Sequence, residues 1–261
     1  MNFLKHRNLI YQFTKRQIQL QYRGSYMGAV WTLLSPLLML MIYSYVFGFI
    51  YGGSFEVVTN ETPYQHAAAI LIGITLFGYF SDILAISPTA VSSNPNFVKK
   101  VVFPLQVLPI SHVTQALYNA IIKFVFSAIL IAFFCDRSAI PFLYLPIIII
   151  PMFLAGVGIS MILSSLAIYI KDISNFIGFL NMALLFSSAV FYGTNLIPDE
   201  AWEILKYNPL IHFIEWTRFT LLWQTGETPA NIYYIYGTSI SVFFLGTFVF
   251  NRLKESFADV I

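Results

Sequence analysis

Leu108-Pro-Ile-Ser-His-Val-Thr-Gln-Ala-Leu-Tyr-Asn-Ala-Ile-Ile-Lys-Phe-Val-Phe-Ser-Ala-Ile-Leu-Ile-Ala-Phe-Phe134 carries one charge, Lys123, in twenty-seven residues. A bilayer core about 30 Å thick is crossed by about 20 mostly apolar helical residues. The stretch therefore reads as a membrane span. Working outward, the same criterion marks 29–50, 66–91, 142–170, 176–192 and 233–250, six in all. The fourth is long enough to tilt or kink, with Pro146 and Pro151 as reasons. The fifth is short and suggests a helix that continues into something that does not cross. Composition agrees, since only 10% of the 261 residues are charged, against about 25% in soluble domains. The expected fold class is an all-α integral membrane protein with one membrane domain.

Loop charges set the orientation. Lys5, Arg7, Lys15, Arg16, Arg23, Lys99, Lys100, Lys171, Arg252 and Lys254 fall on one side, and only Arg137, Lys206 and Arg218 on the other. Ten against three places both termini in the cytoplasm, and six spans satisfy that parity. The basic N-terminal segment has no apolar core of signal-peptide length and is expected to stay. On a helical wheel, Lys5, Gln12, Lys15, Arg16, Gln19 and Arg23 share an arc of about 100°, opposite an apolar side with Ile10, Tyr11, Ile18 and Tyr22. This predicts an amphipathic helix lying on the inner membrane face, within a segment 1–28 that precedes the membrane domain 29–261. Anionic lipid headgroups explain such a helix, and so does an anionic substrate headgroup or a partner.

Catalytic signatures are missing from the sequence. There is no P-loop, no His-Glu-x-x-His and no nucleophile elbow, and His6, His66, His112 and His212 are scattered. A single cysteine, Cys135, rules out an internal disulfide and a thiolate metal cluster. No metal, cofactor or catalytic residue is expected on this chain, so any work done draws its energy from elsewhere.

Inside the spans the clear ionisable residues are Asp82 and Lys123. Helical rise puts them within about 8 Å in height, so a pair is expected. Ser111, Gln115, Asn119, Lys123 and Ser127 form a four-residue polar ladder. That stripe faces either neighbouring helices or a hydrated path. Tyr43, Phe186, Phe191 and Tyr192 serve either as interfacial rings or as flat platforms for sugar rings. Between the last two spans, 193–231 is rich in aromatics, including Trp202 and Trp216, with Pro198 and Pro209 dividing two short helices. Its apolar run of about 14 residues suits a re-entrant hairpin at the mouth of a pathway. The loop 94–104 is basic and apolar between prolines and suits a short helix parallel to the membrane. Phe97 and Phe103 are its expected anchors in the groove of a soluble partner.

Four segments resemble the membrane subunit of polysaccharide-export, type-2 ATP-binding-cassette exporters, which move O-antigen, capsule or teichoic-acid polymers. They are Gln21-Tyr-Arg-Gly-Ser-Tyr-Met-Gly-Ala-Val-Trp31 with Ser35-Pro36, Asn96-Phe-Val-Lys-Lys-Val-Val-Phe-Pro104 with Leu108-Pro109, Tyr169-Ile-Lys-Asp-Ile173, and Phe257-Ala-Asp-Val-Ile261. Met27 stands where the family more often has Leu, and Lys171 where it commonly has Arg. The resemblance implies a homodimer in the bacterial inner membrane, bound to two copies of a separate ATPase that holds ATP and Mg. It implies a lipid-linked polysaccharide as substrate, with membrane lipids as surroundings and no nucleic acid. Asn96, Phe97, Lys99, Lys100, Phe103 and Pro104 would be the ATPase-coupling helix, and Lys15, Arg16, Tyr22 and Arg23 the headgroup entrance. Tyr43, Gln115, Asn119, Lys123, Phe186, Phe191 and Tyr192 would border the polymer's path, and Trp202 and Trp216 the exit gate. Three rivals remain at this point. They are an exporter of a small lipid or drug, a tethered structural protein, and a membrane enzyme acting on lipid-linked sugar through Asp199, Glu200, Glu203 or Glu215.

Overall fold

A computed structural model describes residues 3–50, 52–58, 61–99, 103–135, 137–138, 140–225 and 230–260, with side chains in the first helix from His6 onward. These residues are helical or irregular, with no strand among them. In chain order the helices are α1 Phe3–Tyr22, α2 Trp31–Tyr43, α3 Pro63–Ile86, α4 Pro95–Lys99, α5 Val107–Phe134 and α6 Leu145–Tyr169. They continue with α7 Ile173–Ser187, α8 Asp199–Leu205, α9 Pro209–Arg218, α10 Ile232–Leu253 and α11 Phe257–Val260. Wider π-helical turns extend α2 over Ser44–Ile50 and α9 over Phe219–Trp223.

Local chemistry explains where the helices begin. Thr62 and Gln65 close a reciprocal capping box at the start of α3, with Pro63 in the first turn where its missing N–H costs nothing. Asn208 caps the Leu210 amide ahead of Pro209 in α9, and Asn231 caps the Tyr234 amide in α10. Pro146 likewise opens α6 rather than kinking it, and α6 runs unbroken through the buried Pro151.

Five helical stretches are long and apolar enough to span: Gly28–Ile50, Pro63–Thr89, Val107–Phe134, Ile140–Tyr169 and Ile232–Val260. The expected fifth span corresponds to α7, whose 15 residues reach only about 22 Å. It stops where Ala189 turns to a φ of 53°.

α3 and α6 form the interior. The Tyr79 hydroxyl donates to the Met152 carbonyl, and Ser87 donates to Ser160, tying the two helices at two heights. α10 lies against α6 at backbone contact, because a Cβ on Gly246 would collide with the Gly158 carbonyl and one on Gly158 with that of Val242. Without water to drive apolar surfaces together, close approach through small residues is how membrane helices associate. At the end where α5 begins, Gln106 bonds Asn251 of α10, and the fully buried Phe257 of α11 packs on Phe250 and Tyr169. α2 stays at the periphery, leaving Leu38, Met39, Met41, Ile42, Tyr45 and Phe49 exposed.

Candidate functional site

α1 does not stand apart on a flat surface. It runs alongside the first three turns of α5, in the same direction. Thr14 donates to the Ser111 carbonyl, Gln17 bonds His112 at 3.4 Å, and the Gln115 and Asn119 amides both donate to Gln21 Oε1, at 2.9 and 3.3 Å. The Tyr22 hydroxyl reaches both Thr32 and Asn119. Two members of the polar ladder of α5, Gln115 and Asn119, are thus spent on α1 and buried rather than facing an open path, while Ser111 and Ser127 bond back to carbonyls of their own helix. Tyr22 is half-buried and serves the same junction, whereas Lys15, Arg16 and Arg23 are exposed, with no ion pair among the described residues.

α4 holds Asn96 and Lys99 exposed and Phe97 half-buried, with half-buried Phe103 and Pro104 following. Lys100 lies outside the described residues. The Phe97 and Phe103 rings touch each other at 4.8 Å and each meets Phe13 of α1 at 5.3 Å. They are engaged within the chain rather than projecting as free anchors. Phe13 had no motif to mark it.

Asp82 and Lys123 do not form an ion pair among the described residues. The Lys123 ammonium reaches α3 beside Gly78, where a Cβ would lie 3.6 Å from Nζ. Gly78 lies one helical turn before Asp82.

Toward the other end, Tyr43 and Phe47 of α2 cover Phe191, at 4.4 and 4.7 Å, the second nearly parallel at 6°. Phe191 is therefore buried, while Phe186 is exposed and touches it at 6.4 Å. Tyr192 donates to the Phe186 carbonyl. Of this aromatic set, Tyr43, Phe47 and Tyr192 are half-buried and Phe186 is exposed, so each keeps some ring surface open.

Arg218, read from sequence as an outer-loop cation, is wholly buried. Its guanidinium donates to the carbonyls of Ala69, Ala189, Val190 and Tyr192 and to Glu215 Oε1, and lies 4.4 Å above the Phe55 ring. A cation whose pattern matched a loop charge is thus the pin between α3, α9 and the end of α7. Trp202 on α8 and Trp216 on α9 are half-buried, and only Trp216 neighbours Arg218 in sequence. Asp199 and Glu200 sit in the first turn of α8, where a helix N-terminus favours them. Glu215 is consumed by Arg218. Among the described residues no group of three or more metal-ligating side chains gathers.

The sequence model described as ABC-2 type transporter matches residues 8–222. A protein of Klebsiella pneumoniae named O-antigen export system permease protein RfbA is 26% identical over 259 residues, covering 97% of this chain and 95% of that protein. A second RfbA of Klebsiella pneumoniae is 23% identical over 256 residues, with the same coverage. One from Myxococcus xanthus is 22% identical over 261 residues, covering 98% and 96%.

Proposed function

The chain belongs to the ABC-2 type transporter family, and on that premise we propose that it is the permease subunit exporting a lipid-linked, O-antigen-like polysaccharide. End-to-end similarity to permeases named for O-antigen export carries this reading. The chain is a transporter subunit and not itself catalytic, and the family implies a separate ATP-binding-cassette ATPase as its motor.

Within that reading α7 joins the five longer helices as a sixth membrane element. α8 and α9 form a hairpin re-entering from the outer side, and both termini face the cytoplasm of a bacterial inner membrane. The charge bias supports it more strongly once Arg218 is withdrawn into the fold, leaving Arg137 and Lys206 as the outer cations. Two copies of the chain pair with two ATPases, which supply ATP and Mg. Residues 1–28 serve as the entrance and 29–261 as the membrane domain. Lys15, Arg16 and Arg23 attract the anionic lipid end of the polymer, each worth about 1 kcal/mol at the inner surface. The segment 94–104 receives the ATPase, Tyr43 and Phe186 offer ring faces to passing sugars, and Trp202 and Trp216 border the exit.

The test is reconstitution with the companion ATPase. The pair is expected to assemble, hydrolyse ATP and deliver polymer across the membrane, and Phe97→Ala with Phe103→Ala is expected to abolish delivery. Transport unaltered by that double change removes the coupling role. A cell lacking the chain is expected to trap lipid-linked polymer inside, and normal surface polymer without trapped precursor would favour a small-molecule exporter.

A further inference from the structure

The segment assigned to the ATPase and the cations assigned to the headgroup are joined by one side chain. Phe13 touches both Phe97 on α4 and Phe103 beyond it, and those two rings touch each other. Ring pairs in tilted and edge-on arrangements attract one another beyond the area they cover. Lys15 and Arg16 follow two and three positions later in the same helix, and α1 continues without a break to Tyr22. Over that length Thr14, Gln17, Gln21 and Tyr22 all bond to α5, whose first turn begins just after the loop ends. α1 is therefore held at both ends of the ATPase-facing loop, by rings to α4 and by polar bonds to α5. α1 contains no Pro or Gly, the usual sites of a sharp kink, so nothing in it decouples Phe13 from Tyr22.

We infer that Phe13 is a positioning residue for transport, locking α4, α1 and the first turns of α5 into one moving body. A push on the loop then repositions Lys15, Arg16 and Arg23, so each ATP-driven stroke acts on the polymer's anionic end as well as on the spans. This inference rests on the exporter reading and adds a residue and a route that the reading does not require. Packing alone would make Phe13 a stability residue. Concerted motion makes a different claim: the distance between α1 and the loop is the same in every nucleotide state.

The experiment uses the full permease–ATPase complex. Phe13→Ala is expected to lower polymer export about ten-fold, a change equivalent to about 1.4 kcal/mol, while assembly and ATP turnover stay at wild-type levels. Phe13→Leu, which keeps apolar bulk, is expected to restore most export. In a Cys135→Ser background, spin labels on Gln12→Cys and Ser93→Cys, both exposed positions, report the distance from α1 to the loop by pulsed electron paramagnetic resonance. The distance within one copy, isolated by diluting labelled with unlabelled permease, is expected to stay unchanged between ATP-free and ATP-bound complex and to be broadened by Phe13→Ala, which supports the inference. A distance that shifts on ATP binding with Phe13 intact overturns it, as does wild-type export by Phe13→Ala. If Phe13→Ala fails to assemble, the labelled pair decides. Absence of export by the wild-type complex would instead defeat the exporter reading itself.

Discussion

The guanidinium of Arg218 gathers carbonyls that α7 leaves over where it ends and holds them against α3. Backbone acceptors stranded at such a break cost free energy unless a donor reaches them. Arg218 also keeps the buried Glu215 compensated. Removing one member of a buried pair costs about 3–5 kcal/mol, whereas replacing both with apolar groups is far milder. Arg218→Met is therefore expected to lower the melting temperature in detergent steeply, and adding Glu215→Leu to recover part of the loss. Arg218→Lys keeps the charge but not the planar fork of donors, so it is expected to fall between wild type and Arg218→Met. A double variant no more stable than Arg218→Met would show that carbonyl capture, not the ion pair, dominates. On the opposite side of the molecule, replacing Lys15, Arg16 and Arg23 with Gln is expected to weaken binding of the chain to anionic vesicles. The effect should shrink as salt rises, as surface attraction does.

Among the elements, the α6–α10 contact is the least forgiving. Gly246 and Gly158 meet backbone to backbone, and neither has space for a methyl group. Gly246→Val must part the helices, and overpacking of this kind costs about 1–3 kcal/mol or more. A lower folded yield and earlier thermal aggregation are the expected measurements. Gly237→Ala, one helix face away with nothing near its Cβ position, is the control and is expected to behave as wild type. α7 shows the opposite character. It exposes Phe176, Phe179 and Met182, and its 15 residues end short of a full crossing. Its end is defined by what Arg218 grips rather than by composition.

For the whole molecule, the fold was legible where transfer free energy acts on long windows. A run of twenty apolar residues satisfies its own backbone inside hydrocarbon only by coiling into a helix, so five spans and the short fifth helix could be read from residue order. Family membership was legible too, because four short segments kept their order and spacing. Pairing was not. Gln115 and Asn119 in the polar ladder announce that they avoid lipid, but nothing in their spacing says whether water, sugar or another helix answers them. Only the packed structure shows α1 taking those bonds. Arg218 and a solvated loop arginine look alike in sequence, since burial depends on carbonyls contributed from positions 69, 189 and 190. Phe13 is one Phe among 26 until α4 folds against it. Hydropathy is a sum over neighbours along the chain and survives without tertiary structure. Hydrogen-bond and ring partners are chosen between residues about 100 positions apart, and that choice exists only once the helices have met.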